Sequence, residues 1–105
     1  MDIYNIIITG DINGVREWLK NNFDINQTNY DGRTPIYSAS GCGHTVIVKL
    51  LLTQPGIDFN HPSENGLTPI NSASYNGHTE IVKLLLTQPG IDFNKPNIDE
   101  WTHTN

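Results

Sequence analysis

The chain has 105 residues, enough for one domain at most, and carries six lysines and arginines against eleven aspartates and glutamates. The formal charge of −5 and the lack of a basic stripe argue against nucleic acid and anionic membranes as partners. The sole cysteine, Cys42, cannot form an internal disulfide, and no basic leader or long apolar stretch opens the chain. We therefore expect a cytoplasmic protein in a reducing compartment.

Residues 1–30 have the pattern of a degenerate helix pair. A turn is predicted at Gly10-Asp11. This segment lacks the Thr-Pro helix start and carries more charged residues than either later unit, so we interpret it as a terminal capping repeat. The residues predicted to form its apolar faces are Ile3, Ile6 and Ile7 in the first helix and Val15, Trp18 and Leu19 in the second.

Residues 31–64 and 65–98 are two near-copies of one unit of 34 residues. The run KLLLTQPGIDFN begins at Lys49 and again at Lys83. Repetition at this spacing is typical of a supersecondary unit that stacks on copies of itself. The positions that differ are mostly polar or large, and they are Asp31/Asn65, Arg33/Leu67, Tyr37/Asn71, Gly41/Tyr75, Cys42/Asn76, Val46/Glu80, His61/Lys95, Ser63/Asn97 and Glu64/Ile98.

Each unit carries the signals of two short helices. Thr34 is predicted to cap the first helix, with Pro35 at its first position and Gly43 at its end. Thr45 is predicted to cap the second helix, whose apolar residues cover more than one stripe, so we expect neighbours on two sides of it. The second unit repeats these signals, with predicted caps at Thr68 and Thr79.

Residues 99–105 begin another unit and then stop, which predicts a truncated repeat without a closing helix pair. Apolar surface left exposed in this way usually marks an interface. An alternative interpretation is therefore that the chain is a fragment of a longer array, or that it self-associates through an uncapped C-terminal face.

These motifs resemble the pattern of the ankyrin-repeat family, which has Gly-x-Thr-Pro at the start of each unit, Gly-His between its helices and Asn at its end. In the first unit the matching residues are Gly32, Thr34-Pro35, Ala39, Gly43-His44, Ile47-Val48, Leu51-Leu52 and residues 56–60; the second unit matches 34 residues later. The chain departs from the pattern at Tyr37 and Asn71, where the family usually has His, and in a unit one residue longer than the common period of about 33.

The resemblance implies an all-α solenoid of stacked helix–turn–helix units with projecting β-turn or hairpin loops, about three repeats plus a C-terminal stub. It also implies a non-catalytic, cofactor-free module that binds another protein through its loop tips and the concave face of its first helices. Carried onto this chain, the partner-binding residues are Tyr30, Asp31, Arg33, Tyr37, Glu64, Asn65, Leu67, Asn71, Tyr75, Asn76, Ile98 and Trp101, with Gly41, Cys42 and Asp99 on the same surface.

The remaining polar residues admit chemical interpretations that we weigh against structural ones. The sequence context of Asn60 and Asn94 is similar to that in which a cytosolic asparaginyl hydroxylase modifies asparagines of ankyrin repeats. Alternatively, each asparagine holds its turn together, and we favour this structural interpretation. His44 and His78 are expected to hydrogen-bond within and between repeats. Cys42 and His44 have the spacing of a nucleophile–base pair, but no orienting group accompanies them, and the histidines lack zinc-site spacing, so we predict neither an enzyme nor a metal site.

Overall fold

A computed structural model describes residues 2–21 and 24–92. Among these residues the chain forms six α-helices joined by turns, with no β-strand, as the all-α prediction requires. The helices are α1 (Ile3–Ile8), α2 (Ile12–Lys20), α3 (Pro35–Cys42), α4 (Thr45–Leu52), α5 (Pro69–Tyr75) and α6 (Thr79–Leu86).

The helices are stacked in two layers. In one layer α3 packs between α1 and α5, and in the other α4 packs between α2 and α6. Each first helix also contacts the second helix of its own unit. The stack is therefore single file, and each helix pair buries its apolar side chains only against its neighbours.

The core lies between these two layers and runs through all three helix pairs. Ile7, Val15, Ile36, Leu51 and Leu85 are each fully buried. The apolar faces predicted for the first helix pair are confirmed, because Ile3, Ile6, Val15 and Trp18 are buried and Leu19 packs against the core. In α4 the buried residues Ile47, Val48 and Leu51 meet neighbours on both sides, as the sequence indicates.

Threonine caps begin the first helices as predicted. The backbone N–H of Tyr37 donates to the Thr34 hydroxyl at 3.2 Å, and that of Asn71 donates to the Thr68 hydroxyl at 3.4 Å. The Asn71 side chain accepts in return from the Thr68 N–H at 3.0 Å, which completes a capping box. Gly43 ends α3 with a φ of 81°, a left-handed conformation that favours glycine.

The predicted caps at Thr45 and Thr79 are wrong by one residue. These threonines are the first residues of α4 and α6, and His44 and His78 take the capping positions without capping through their side chains. The His44 Nε2 lies 3.3 Å from the Ile8 carbonyl oxygen, and the His78 Nε2 lies 3.0 Å from that of Gly41. Each ring thus bonds to the preceding repeat, which confirms the structural role expected for both histidines.

An asparagine also joins each repeat to the next. The Asn26 amide donates to the Gly56 carbonyl oxygen at 2.8 Å and accepts from the Asp58 N–H at 2.8 Å. Asn60 makes the same pair of bonds 34 residues later, to the Gly90 carbonyl oxygen and the Asp92 N–H, both at 2.9 Å. Both ends of the Asn60 amide are therefore engaged, but with the turn of the following repeat rather than with its own turn, which the structural interpretation had expected. The alternative of hydroxylation at Asn60 stays a prediction, and Asn94 lies outside the described residues.

Replacing Leu85 tests the placement of the core. Leu85→Ala should lower the free energy of unfolding by about 2–5 kcal/mol, because it leaves a cavity at a fully buried position. Thr68→Ala should cost about 1 kcal/mol through the lost cap. The matched control is Leu86→Ala, since this neighbouring leucine is 48% exposed and should be the least costly of the three. Denaturation midpoints in a different order would contradict this assignment of core and cap.

Candidate functional site

An open groove runs along the first-helix layer beneath the loop tips. It has a volume of about 870 Å³ and is lined by all three first helices and by residues of the loops that precede α3 and α5. The lining residues are Asp2, Tyr4, Asn5, Ile8, Asn29, Tyr30, Asp31, Arg33, Tyr37, Ser38, Gly41, Cys42, Leu67, Ser72, Tyr75 and Asn76. The groove therefore crosses every described repeat, and no single repeat builds it.

All four tyrosines of the chain line this groove. Tyr30 is 90% exposed at a loop tip, and Tyr75 is 61% exposed at the end of α5. Tyr37 is only 6% exposed on α3, and Tyr4 is partly buried on α1. Tyrosine combines a large apolar surface with a polar hydroxyl, which makes it common among residues that dominate protein interfaces.

Tyr4 anchors the first helix to the first loop. Its hydroxyl oxygen lies 2.8 Å from the carbonyl oxygens of both Gln27 and Arg33, which share the single hydrogen that the phenol donates. Burial raises the pKa of Tyr4 to about 12, with the charges of Asp2 and Asp24 adding to the effect. The phenol is thus held neutral, and it fixes one wall of the groove.

Among the described residues, Arg33 is the one cation that lines the groove, and it rests on an aromatic ring. The Arg33 guanidinium carbon lies 5.4 Å from the centre of the Tyr37 ring, within the range of a cation–π interaction. Arg33 is exposed and Tyr37 is buried beneath it. Asp2 and Asp31 line the same groove, so its charged lining is one cation and two carboxylates.

Main-chain hydrogen bonds fix the loop tips. The Asn29 N–H donates to the Arg33 carbonyl oxygen at 3.0 Å, and the Ser63 N–H donates to that of Leu67 at 2.8 Å. The two tips are joined by a bond of 3.0 Å from the Glu64 N–H to the Asp31 carbonyl oxygen. The Asn29 side chain also holds the first tip, since its amide oxygen accepts from the Asp31 and Arg33 N–H groups at 3.0 Å. The spacing of the tips therefore does not depend on the side chains of residues 31, 33, 64 and 67.

Seven of the predicted partner-binding residues meet in the groove: Tyr30, Asp31, Arg33, Tyr37, Leu67, Tyr75 and Asn76. Gly41 and Cys42 lie there as well, and Cys42 is an exposed free cysteine. Glu64 and Asn65 are exposed at the second tip but do not line the groove. Asn71 is only 7% exposed, and its amide belongs to the helix cap. Ile98, Asp99 and Trp101 lie outside the described residues.

Sequence reasoning missed the contribution of the first helix. Asp2, Tyr4, Asn5 and Ile8 line the groove, although the terminal repeat was expected to act as a cap. A signal was present, because Gly10 precedes α2 as Gly43 precedes α4, and both have positive φ. Aligning these glycines places Ile8 in register with Gly41, a position that the comparison of the two full repeats already marks as variable.

The described part of the chain contains neither a metal-binding cluster nor a membrane-spanning helix. Among residues 2–21 and 24–92, no group of three or more His, Cys, Asp or Glu side chains is placed to hold a metal ion. None of the described helices is long and apolar enough to cross a membrane.

Removing the Tyr4 hydroxyl should change how stability depends on pH. The pKa of Tyr4 is about 12 when folded against an ordinary 10.0, so ionisation favours the unfolded chain. The contribution of the neutral phenol to the free energy of unfolding is therefore complete below pH 10 and is lost as the pH rises to 12. Tyr4→Phe should cost about 1 kcal/mol at neutral pH, and thermal melts should show a shallower loss of stability in that alkaline interval.

The control for this variant is Tyr30→Phe, whose phenol is 90% exposed and which should keep the alkaline profile of the unaltered protein. Parallel alkaline profiles for Tyr4→Phe and the unaltered chain would contradict the assignment.

The comparison with protein families agrees with this architecture. No curated protein sequence matches the chain. A family profile of ankyrin repeats matches residues 4–97 as three copies, a span that begins in α1 and continues past α6. The repeat motifs, the two helix layers and this match together show that the chain belongs to the ankyrin-repeat family.

Proposed function

We propose that this chain is a non-catalytic module that binds another protein in the groove of its first-helix layer. Ankyrin repeats are generally protein–protein interaction modules, and the groove of this chain is where its four tyrosines gather. That gathering is the observation that carries the proposal. Tyr4 and Tyr37 also pack within the chain, but Tyr30 and Tyr75 are largely exposed, and partner recognition uses exposed tyrosines preferentially.

The groove is built in advance of any partner. Tyr4 is held by two carbonyl oxygens, the loop tips are joined through their main chains, and Tyr37 is packed beneath Arg33. A surface that is already ordered loses little conformational freedom when it binds. The two carboxylates and single cation of the lining support a protein partner over nucleic acid. The sole, unpaired Cys42 supports a reducing, cytoplasmic location.

Affinity capture with a groove variant tests this function. The variant Tyr30→Ala/Arg33→Ala truncates two exposed side chains of the groove, and both substitutions should leave the fold intact. The matched control is Arg16→Ala/Lys49→Ala, which truncates exposed side chains of α2 and α4 outside the groove. Quantitative mass spectrometry of captured proteins from the native cell extract is the measurement. We expect a partner that the control retains and the groove variant recovers about tenfold less.

Two results would contradict the proposed function. Equal recovery of the same proteins by the groove variant and the control would place binding elsewhere. Recovery of nothing above a tag-only column would argue against a stable protein partner.

A second candidate is the structural one, in which the chain stacks on another repeat array or on a second copy through its last helix pair. Val82 on α6 is partly exposed, whereas Val48 at the equivalent position on α4 is fully buried. Leu86 is 48% exposed, whereas the equivalent Leu52 is partly buried. Among the described residues α4 has a helix on each side in its layer, and α6 has only α4.

Light scattering at increasing protein concentration tests self-association. If α6 forms the contact, the apparent mass should rise with concentration, and Leu86→Lys should hold the protein monomeric because it would bury a charge. Val46→Lys alters an apolar residue of similar exposure on α4 and should behave as the unaltered chain. A monomer at every concentration would remove self-association from consideration and leave the groove unaffected.

A further inference from the structure

Three equivalent positions close the C-terminal ends of the first helices: Ile8 in α1, Gly41 in α3 and Tyr75 in α5. Each lies two residues before a glycine of positive φ, namely Gly10, Gly43 or Gly77. The carbonyl oxygens of Ile8 and Gly41 also play the same part, since each meets the histidine ring of the following repeat. These residues therefore form one row across the groove, which all three line.

The side chains of this row leave a gap at its centre. Ile8 and Tyr75 are large, and each is 61% exposed. Gly41 between them has no side chain, so the row has a large side chain at each end and a gap at its centre. A folded protein exposes two large apolar side chains beside one depression at a cost in hydration, and such surface usually marks an interaction site.

Gly41 also has a packing role, because α5 approaches it closely. A Cβ at this position would lie 2.6 Å from the Ser72 hydroxyl oxygen on α5, so a side chain here would require that hydroxyl to shift. The close approach of α3 and α5 therefore favours glycine at the centre of the row. The floor of the gap is backbone, with the Tyr37 ring one turn earlier on the same helix.

The charges around the gap select what can enter it. Asp2 and Asp31 line the groove, and its single cation, Arg33, lies against the Tyr37 ring. The whole chain carries a formal charge of −5. A partner that approaches this groove gains from positive charge, and aromatic rings add to that preference.

We propose that the gap over Gly41, between Ile8 and Tyr75, receives one large apolar side chain from an extended partner segment that carries a lysine or arginine beside it. This inference rests on the groove being the binding surface, and it adds the chemistry of the ligand. The apolar side chain supplies the anchor, and the adjacent cation sets the preference among partners.

A library of random linear peptides displayed on phage, selected against the full chain, supplies the probe. The selected peptides should share a large apolar residue next to a lysine or arginine. Fluorescence polarisation with the synthetic consensus peptide should show about tenfold weaker binding when the apolar residue becomes alanine. Replacing its basic residue should have a smaller effect that fades as salt is added.

Substitutions in the protein should show where the apolar side chain of the peptide binds. Ile8→Ala/Tyr75→Ala removes both walls of the gap and should weaken the consensus peptide about tenfold or more. Val46→Ala, which truncates an exposed apolar residue of α4 outside the groove, is the control and should bind as the unaltered chain. Alkylation of Cys42 with a bulky maleimide places a large group beside Gly41 without changing the sequence. This modification should also abolish binding of the peptide.

The outcomes separate this inference from the proposed function. Selected peptides without a shared large apolar residue, or no selected peptide at all, would overturn the inference, while the capture experiment still tests the function. A third result is peptide binding that is lost in Tyr30→Ala/Arg33→Ala yet retained after Cys42 alkylation and in Ile8→Ala/Tyr75→Ala. That result would support the groove as the binding surface and reject the gap over Gly41 as the position of the apolar side chain. Binding unaffected by all of these changes would reject both.

Discussion

Burial of apolar side chains between successive helix pairs is the interaction on which this molecule depends. Among the described residues no helix is longer than nine residues, and helices this short are not stable alone in water. Each gains its stability by packing on its neighbours, as α3 does between α1 and α5. The consequence is a linear array whose stability is set by local contacts, and whose surface is correspondingly long.

Residues that build the stack and residues that line the groove are largely different sets. The identical positions of the two full repeats include the capping threonines, the histidines that bond to the preceding repeat, and buried leucines such as Leu51 and Leu85. The differing positions include Arg33/Leu67, Gly41/Tyr75 and Cys42/Asn76, all of which line the groove. The overlap occurs at Tyr37 and Ser72, which line the groove yet are mostly buried, so packing as well as binding constrains them.

The sequence predicted the fold nearly completely because its signals are local and repeated. Apolar spacing, Thr-Pro helix starts and turn glycines indicated the helix pairs and the buried faces. The second-helix caps were misplaced because threonine is a preferred capping residue, whereas here Thr45 is already helical and His44 takes the capping position without a side-chain hydrogen bond. The groove was predicted in part: a comparison of two full repeats cannot register a third, degenerate one, so Tyr4 and Ile8 were missed. The family resemblance placed Tyr30, Tyr37 and Tyr75 on one surface, but nothing in the sequence alone showed that Tyr4 joins them.

The hydrogen bonds that join the loop tips have a consequence for how this protein can change. The bonds from Asn29 to Arg33, from Ser63 to Leu67 and from Glu64 to Asp31 run between main-chain atoms. Substitutions at these tips can therefore alter specificity while the scaffold stays intact. New binding preferences can therefore arise by substitution of residues 31, 33, 65 and 67, with little change to the residues that support them.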